Sequence, residues 1–419
     1  MRKVVYPKVG GVDSIRIVEV DDPVPGPGQV TVRIHRAGIN FADLMMRQGL
    51  YGSNPDYPFT PGYEAGPGEV IEVGNDVEGL DSGDRVLAMT GFGGYSEQIA
   101  LDAGRVIRIP DSISFDQAAA IPVTYGTAYH MLVHLGNLSE GETVLVHHAA
   151  GGVGTAVAQI CKAYGASTVI GTASTPKREF VESLGMHFVD SKSEDFVTVC
   201  KSMTGGKGVH HAIDPVGGNH LMRSYKALRR GGRLYCFGAS AAVKGDRRSM
   251  VTALRMWAST PKFDPLKMMR SNKAVFGVHM GLLDDESVFK GHLEALSGML
   301  LKGQVDPVID SVWRFERSPR PRGTCTTARI AGRSCSTSPD YIPPGTIIAR
   351  TSPLQRTRCL PRGRFLRHSA MGPKQSADSE PDWPRVAPQA WHFSRLVLPS
   401  LMKRVSGARH WSHRMNALT

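Results

Sequence analysis

Around residues 142–171 the chain lays down a short apolar strand (142–147) and then Ala149-Ala150-Gly151-Gly152-Val153-Gly154. A helical stripe through Ala156, Val157, Ile160 and Cys161 follows, and a second strand at 168–171 closes the pattern. No other stretch constrains the fold as tightly. Small residues at a strand-to-helix turn let the backbone approach a pyrophosphate, and the helix N-terminus stabilises its charge. Ala149 takes the first place of the usual G-x-G-x-x-G spacing, so the loop alone could be a structural turn. The strands on either side favour a dinucleotide site built on Gly151, Gly152, Val153 and Gly154.

The strand–helix rhythm continues with a helix at 177–184, a strand before Asp214, a helix around 221–228 and a strand at 232–237. A strand at 275–278, a helix at 286–301 and an extended segment over 304–313 come next. This alternation predicts a doubly wound parallel sheet covered on both faces, an α/β architecture. The first 110 residues read differently. Period-two alternation at 30–37 and 69–73, broken by Pro-Gly and Gly-Asn, predicts a twisted, mainly β body.

Charge divides the chain more sharply than any linker. Residues 316–419 carry 18 Lys+Arg, 16 of them Arg, against 5 Asp+Glu, and 12 of the 27 prolines. Residues 1–315 hold 32 basic and 33 acidic residues, so the net charge of +12 belongs to the tail. Such a tail can attract phosphates electrostatically. It has no periodic aromatics and no reader fold, so specific nucleic-acid binding is not expected. Six widely spaced cysteines favour a reducing, cytoplasmic setting. No secretory leader and no run approaching 18 charge-free apolar residues is present, which argues against a transmembrane segment.

The tip of the second strand bears on the cofactor. NAD sites place Asp or Glu there for the ribose hydroxyls, whereas this chain has Gly171-Thr172-Ala173-Ser174 and then Lys177 and Arg178. Thr172, Ser174 and Lys177 would receive a 2′-phosphate without meeting a like charge, which favours NADPH. The two cations could also be ordinary solvated first-turn residues.

Several separated motifs carry a resemblance. They are Gly38-Ile39-Asn40-Phe41-Ala42-Asp43-Leu44, Arg47-Gln48-Gly49-Leu50-Tyr51, Pro61-Gly62-Tyr63-Glu64, the glycine loop, Asp214-Pro215-Val216-Gly217-Gly218, the segment 276–284 and Ile309-Asp310-Ser311-Val312-Trp313. In this order they resemble the medium-chain dehydrogenase/reductase superfamily and its zinc-independent quinone oxidoreductase branch. They look especially like the synaptic vesicle membrane protein VAT-1 type. The resemblance implies a GroES-like catalytic domain (1–120), a Rossmann NADPH-binding domain (121–270) and a return segment to the catalytic domain (271–316). It also implies a homodimer and a small-molecule quinone or enone substrate. Reduction of another activated carbonyl, and nonenzymatic NADPH binding in a vesicle- or lipid-associated protein, are the alternatives.

Residue by residue, Asn40 matches an asparagine near the nicotinamide ribose and substrate, and Tyr51 a cleft tyrosine that hydrogen-bonds a substrate oxygen. Thr127 matches the segment beside the nicotinamide, while Phe237, Gly238, Phe276 and Val278 would border the cofactor. Asn40 could instead cap local backbone, and Tyr51 could be a surface aromatic. His147 and His148 are explained as well by packing as by proton transfer. Zinc-bearing relatives have Cys where Asn40 stands and His where Tyr63 stands, and 1–160 contains no cysteine. No metal is therefore expected at either zinc position.

After about Glu316 the resemblance stops, where a closing helix and strand are due. Arg329–Ser338 can be encoded so that a constant shift of frame reads Asn-Arg-Gly-Lys-Ile-Val-Leu-Asp-Val, close to the missing ending. The expectation is a frameshift between about 316 and 323. It leaves 317–419 as a basic, low-order tail, with 324–419 disordered apart from accidental short helices such as one near 396–405, and the catalytic domain with an unpaired sheet edge.

Overall fold

The computed structural model describes residues 1–63, 66–283, 285–315 and 346–349. The described residues all belong to one compact unit, and 316–345 and 350–419 lie outside them.

Five antiparallel strands build the first sheet, in the order Gln98–Asp102, Gln29–Ile34, Gly66–Val73, Arg85–Ala88, Val106–Arg108. Val30, Val32 and Ile34 alternate onto one face and bury against Val70, Val86, Ala88 and Leu101. A second cluster gathers Val4, Tyr6, Ala37, Met46, Phe59, Tyr95 and Phe315, joining the N-terminal strand, the helix Phe41–Arg47 and the end of the return segment.

A parallel sheet of six strands follows, ordered His187–Asp190, Thr168–Ala173, Thr143–His147, Val209–Asp214, Leu228–Cys236, Ala274–Gly277. Its residues alternate between two cores: Val144, Val146, Val169 and Ile213 on one side, Leu145, Ile170 and Ala212 on the other. Both faces are thus apolar and covered, as strands without a solvent side require. Because all six run the same way, every C-terminal end lies along one edge.

The two sheets are joined by a helical run over 115–135, begun by a Ser114/Gln117 capping box and continued through π-helical turns. Its apolar residues face several directions, so it shows little of the one-sided stripe that marks a surface helix. The helix Glu286–Leu301 then leads back, and Ser311–Arg314 reaches the first domain.

One expectation for the tail needs correcting. The edge beside Arg36–Ile39 is paired: Thr346–Ala349 lies between it and Ser311–Arg314, parallel to the first and antiparallel to the second. An open edge offers a row of backbone donors and acceptors, and the Thr-Ile-Ile run has the β-branched composition that fits it. The rest of 316–419, including the expected disorder and the shifted reading of Arg329–Ser338, lies outside the described residues.

Candidate active site

The glycine loop leaves the strand Thr143–His147 and enters the helix Gly152–Ala163 with Gly151 at its N-cap. Ala149 N donates to Thr172 O at 3.0 Å, tying the loop to the neighbouring strand tip. A Cβ on Gly154 would run into the Ala149 backbone, so the loop closes onto the helix only with glycine there. Gly151 offers no side-chain cap. The first-turn amides of Gly152, Val153 and Gly154 are therefore presented at the sheet edge, the arrangement that suits a phosphate.

Around this loop the strand ends place the other expected cofactor residues. Phe237 N donates to Asp214 O at 3.2 Å and Val278 N to Cys236 O at 2.9 Å, continuing their strands past the edge. Gly238 packs on Pro215, where a Cβ would meet the Pro215 carbonyl oxygen at 2.8 Å. Ser174 is the N-cap of the short turn Thr175–Lys177. Two side chains turn beneath the edge instead. The Thr172 hydroxyl is paired with His147 Nδ1 at 2.9 Å, and Phe276 stacks on Tyr235 with centroids 5.5 Å apart and planes at 11°.

The two cations near the strand tip have separate surroundings. Arg178 pairs with Glu182 at 3.3 Å and lies over Phe188 at 4.3 Å. Half-buried Lys177 makes no ion pair within 4.0 Å among the described residues. Burial pulls its ammonium pKa below the ordinary lysine range, against an opposing pull from Asp310. Asp190, at the end of the adjacent strand, has its carboxylate engaged by Thr175, Lys192 N and Ser193 N. Both of its oxygens are thus engaged within the protein.

Below the loop runs a buried polar chain. His147 Nε2 lies 3.0 Å from Ser224 Oγ, Ser224 donates to Asp214 Oδ2 at 2.6 Å, and His220 Nδ1 meets the same oxygen at 2.7 Å. Val216 N and Gly217 N donate to Asp214 Oδ1 at 2.7 and 3.2 Å. Burial alone would raise the Asp214 pKa, but the His220 hydrogen bond and the neighbouring histidines hold it at about 2. Burial, with His220 close by, pushes His147 down to about 3, so it stays neutral. His147 therefore braces the loop as part of the packed interior, while His148 stands exposed with φ 53°.

In the first domain, Asn40 is the N-cap of the helix Phe41–Arg47, in a capping box with Asp43. Asn40 N donates to Asp43 Oδ2 at 2.8 Å, and Tyr95 Oη donates to the same oxygen at 2.9 Å. Backbone capping is thus part of what Asn40 does. Tyr51 is half-buried, with its ring 5.9 Å from Tyr63 and 5.2 Å from His279 of the return segment. Burial, reinforced by Tyr63 and Asp43, pushes the Tyr51 phenol well above the usual tyrosine range. Tyr63 is raised by burial too, so both phenols remain protonated donors. Thr127, 6% exposed, sits within the connecting helical run and belongs to a different element from this tyrosine group.

Two residues join the site that sequence reasoning left without a role. His279 pairs with Ser53 at 3.3 Å and stands beside Tyr51. Tyr63 abuts Gly281, where a Cβ would strike its hydroxyl. Both lie within quoted motifs, but only the fold brings 51, 63 and 279 together. A latch crosses the same region, with Asp246 Oδ1 2.7 Å from the buried Arg47 and Asp246 Oδ2 accepting from Val12 N at 3.1 Å.

Comparison with known proteins agrees with this architecture. The alcohol dehydrogenase GroES-like domain family matches residues 26–111, and the zinc-binding dehydrogenase family matches 152–297. The human synaptic vesicle membrane protein VAT-1 homolog is 38% identical over 321 residues, covering 76% of this chain and 81% of the relative. Mouse quinone oxidoreductase-like protein 2 is 31% identical over 307 residues, covering 72% and 83%. Among solved structures, the human VAT-1 homolog-like protein aligns with TM-score 0.64 and 32% identity over 75% of this chain and 91% of that one. Escherichia coli quinone oxidoreductase complexed with NADPH aligns with TM-score 0.64 and 27% identity, covering 74% and 90%. With this fold, this order of motifs and relatives of this identity, the chain belongs to the medium-chain dehydrogenase/reductase superfamily, in the branch of the VAT-1 homologues.

Proposed function

We propose that the chain is an NADPH-dependent, zinc-independent oxidoreductase that transfers hydride to a quinone or a related enone. The observation that carries this reading is the group at the zinc-ligand positions. Asn40 and Tyr63 stand there, and the protonated Tyr51 phenol lies within the same aromatic cluster. These are hydrogen-bond donors and acceptors, not a zinc-ligand set.

Bound NADPH supplies the hydride. Lys177 and the loop amides fit its phosphates: a half-buried cation without an ion pair among the described residues, at a strand tip without a free carboxylate. Tyr51 or Tyr63 donates a hydrogen bond to the acceptor oxygen as negative charge develops there. An enone gains hydride at its β-carbon and a proton at its α-carbon, and a quinone gains one hydride and one proton to become a hydroquinone. Solvent at the cleft mouth provides the proton. Asn40 and Thr127 orient ribose and nicotinamide, and Asp43 and His279 position Asn40 and Tyr51. Free Cys161, Cys200 and Cys236 fit a cytoplasmic setting. The chain after about Glu316 is read as out of frame, and sequencing the coding region tests that directly.

The deciding assay is NADPH oxidation over a panel of quinones and enones, for this chain and a frame-restored version. Turnover with neither version, in the presence of tight NADPH binding, would favour the vesicle-associated, nonenzymatic reading. One observation speaks for that second reading. Met250, Val251, Leu254 and Trp257 are 57–73% exposed on the helix Met250–Ser259, followed by exposed Leu266 and Met269. Large apolar patches of this kind mark interaction surfaces.

A further inference from the structure

The connecting helical run carries His130 and His134 four residues apart, and the return helix Glu286–Leu301 sets His292 against them. Ring centroids are 5.0 Å apart for His130–His134, 5.2 Å for His130–His292 and 5.2 Å for His134–His292, a nearly equilateral triangle. His130 and His292 are 8% and 4% exposed, whereas His134 is exposed. Nδ1 of His130 and both ring nitrogens of His292 are buried without a hydrogen-bond partner among the described residues. Buried polar atoms are satisfied almost everywhere in proteins, so three orphans in one place call for a missing partner.

The surroundings say what kind. Among the described residues, the charges acting on His292 are those of His130 and His134, and on His130 that of His134, with no carboxylate among them. Burial, with the neighbouring imidazoles, favours the neutral form of His130 and His292, the form that ligates a metal. At a metal–nitrogen distance of about 2.0–2.1 Å, three imidazoles around a tetrahedral ion have ring centres about 5 Å apart. The observed triangle has that spacing. His134 is stacked on His130 at 17°, and the three nitrogens do not yet converge on one point. Exposed His134 is the ring free to turn inward.

The geometry points to a metal site at His130, His134 and His292 that takes a borderline transition-metal dication, such as Zn²⁺ or Cu²⁺, with the fourth position open to solvent. An all-imidazole set without carboxylates selects these ions over Mg²⁺ or Ca²⁺. The ion pins the return helix to the connecting run, three residues from Thr127. This site is separate from the catalytic cleft and does not depend on the hydride-transfer reading. A second histidine group, His147, Asp214 and His220, has ligand atoms within 4.8 Å of one another, but its hydrogen bonds are already made.

The test is titration of the tag-free full-length chain with Zn²⁺ by calorimetry and with Cu²⁺ by electron paramagnetic resonance. The expected result is one ion per chain at this site, a copper spectrum split by nitrogen ligands, and an affinity reduced about 100-fold in His134→Ala. His292→Leu should lose the same ion. If that variant fails to fold, His134→Ala, changed at an exposed position, still decides. His220→Asn should leave binding unchanged. Absence of binding, equal affinity in His134→Ala, or loss of the ion in His220→Asn would overturn the proposal.

Discussion

Tyr51 sits in surroundings that its own sequence motif does not spell out. Its motif suggests a cleft tyrosine, but the rings packed against it, Tyr63 and His279, come from other segments of the chain. Tyr51→Phe should lower kcat with an enone about 10- to 100-fold while leaving the KM for NADPH nearly unchanged, as measured in steady-state assays. Since the phenol pKa is raised, its protonated form persists in alkali, and the kcat profile should show no loss from tyrosine ionisation below pH 10. A fall centred at an ordinary tyrosine pKa would remove Tyr51 as the donor. Lys177→Ala should raise the KM for NADPH about tenfold and leave that for NADH unchanged, the loss of one charge-assisted contact. His292 titrates in the opposite sense from Tyr51. Burial pushes it from 6.5 to about 4 in the folded chain, so its neutral form supports the fold above pH 6.5. That support is lost as pH falls from 6.5 toward 4, and denaturant midpoints measured across this window should drop unless a metal holds the site.

At the scale of elements, the glycine loop was legible because three independent patterns coincide there: a buried strand, small residues and an amphipathic helix. Gly154→Ala drives a Cβ into the Ala149 backbone. It should cost about 1–3 kcal/mol in denaturant unfolding and weaken NADPH binding together. The connecting run over 115–135 was far less legible, since a helix apolar on several sides carries little periodic signal. The Asp246 latch was not legible at all, because Arg47 and Asp246 are 199 residues apart and meet only through the fold. Asp246→Ala leaves the nearly buried Arg47 without this partner. The expected loss is about 2 kcal/mol, between the values for exposed and buried pairs, and thermal or chemical denaturation checks it.

For the whole molecule, composition changes near Glu316 but does not announce that Thr346–Ala349 takes the place between Arg36–Ile39 and Ser311–Arg314. Edge pairing depends on backbone groups exposed at one position in space, and no periodicity in the tail announces it. The Rossmann half, by contrast, followed from strand–helix alternation, because both sheet faces demand apolar strands. If the resemblance extends to assembly, sedimentation equilibrium should return twice the mass of one 419-residue chain. The central claim is hydride transfer from NADPH to an electron-poor acceptor. The most direct measurement uses NADPH carrying deuterium at the transferable C4 position, with an enone as acceptor and mass spectrometry of the product. One deuterium at the β-carbon, with the α-hydrogen drawn from solvent, is the predicted result; a product without deuterium, or no product while NADPH remains bound, would contradict it.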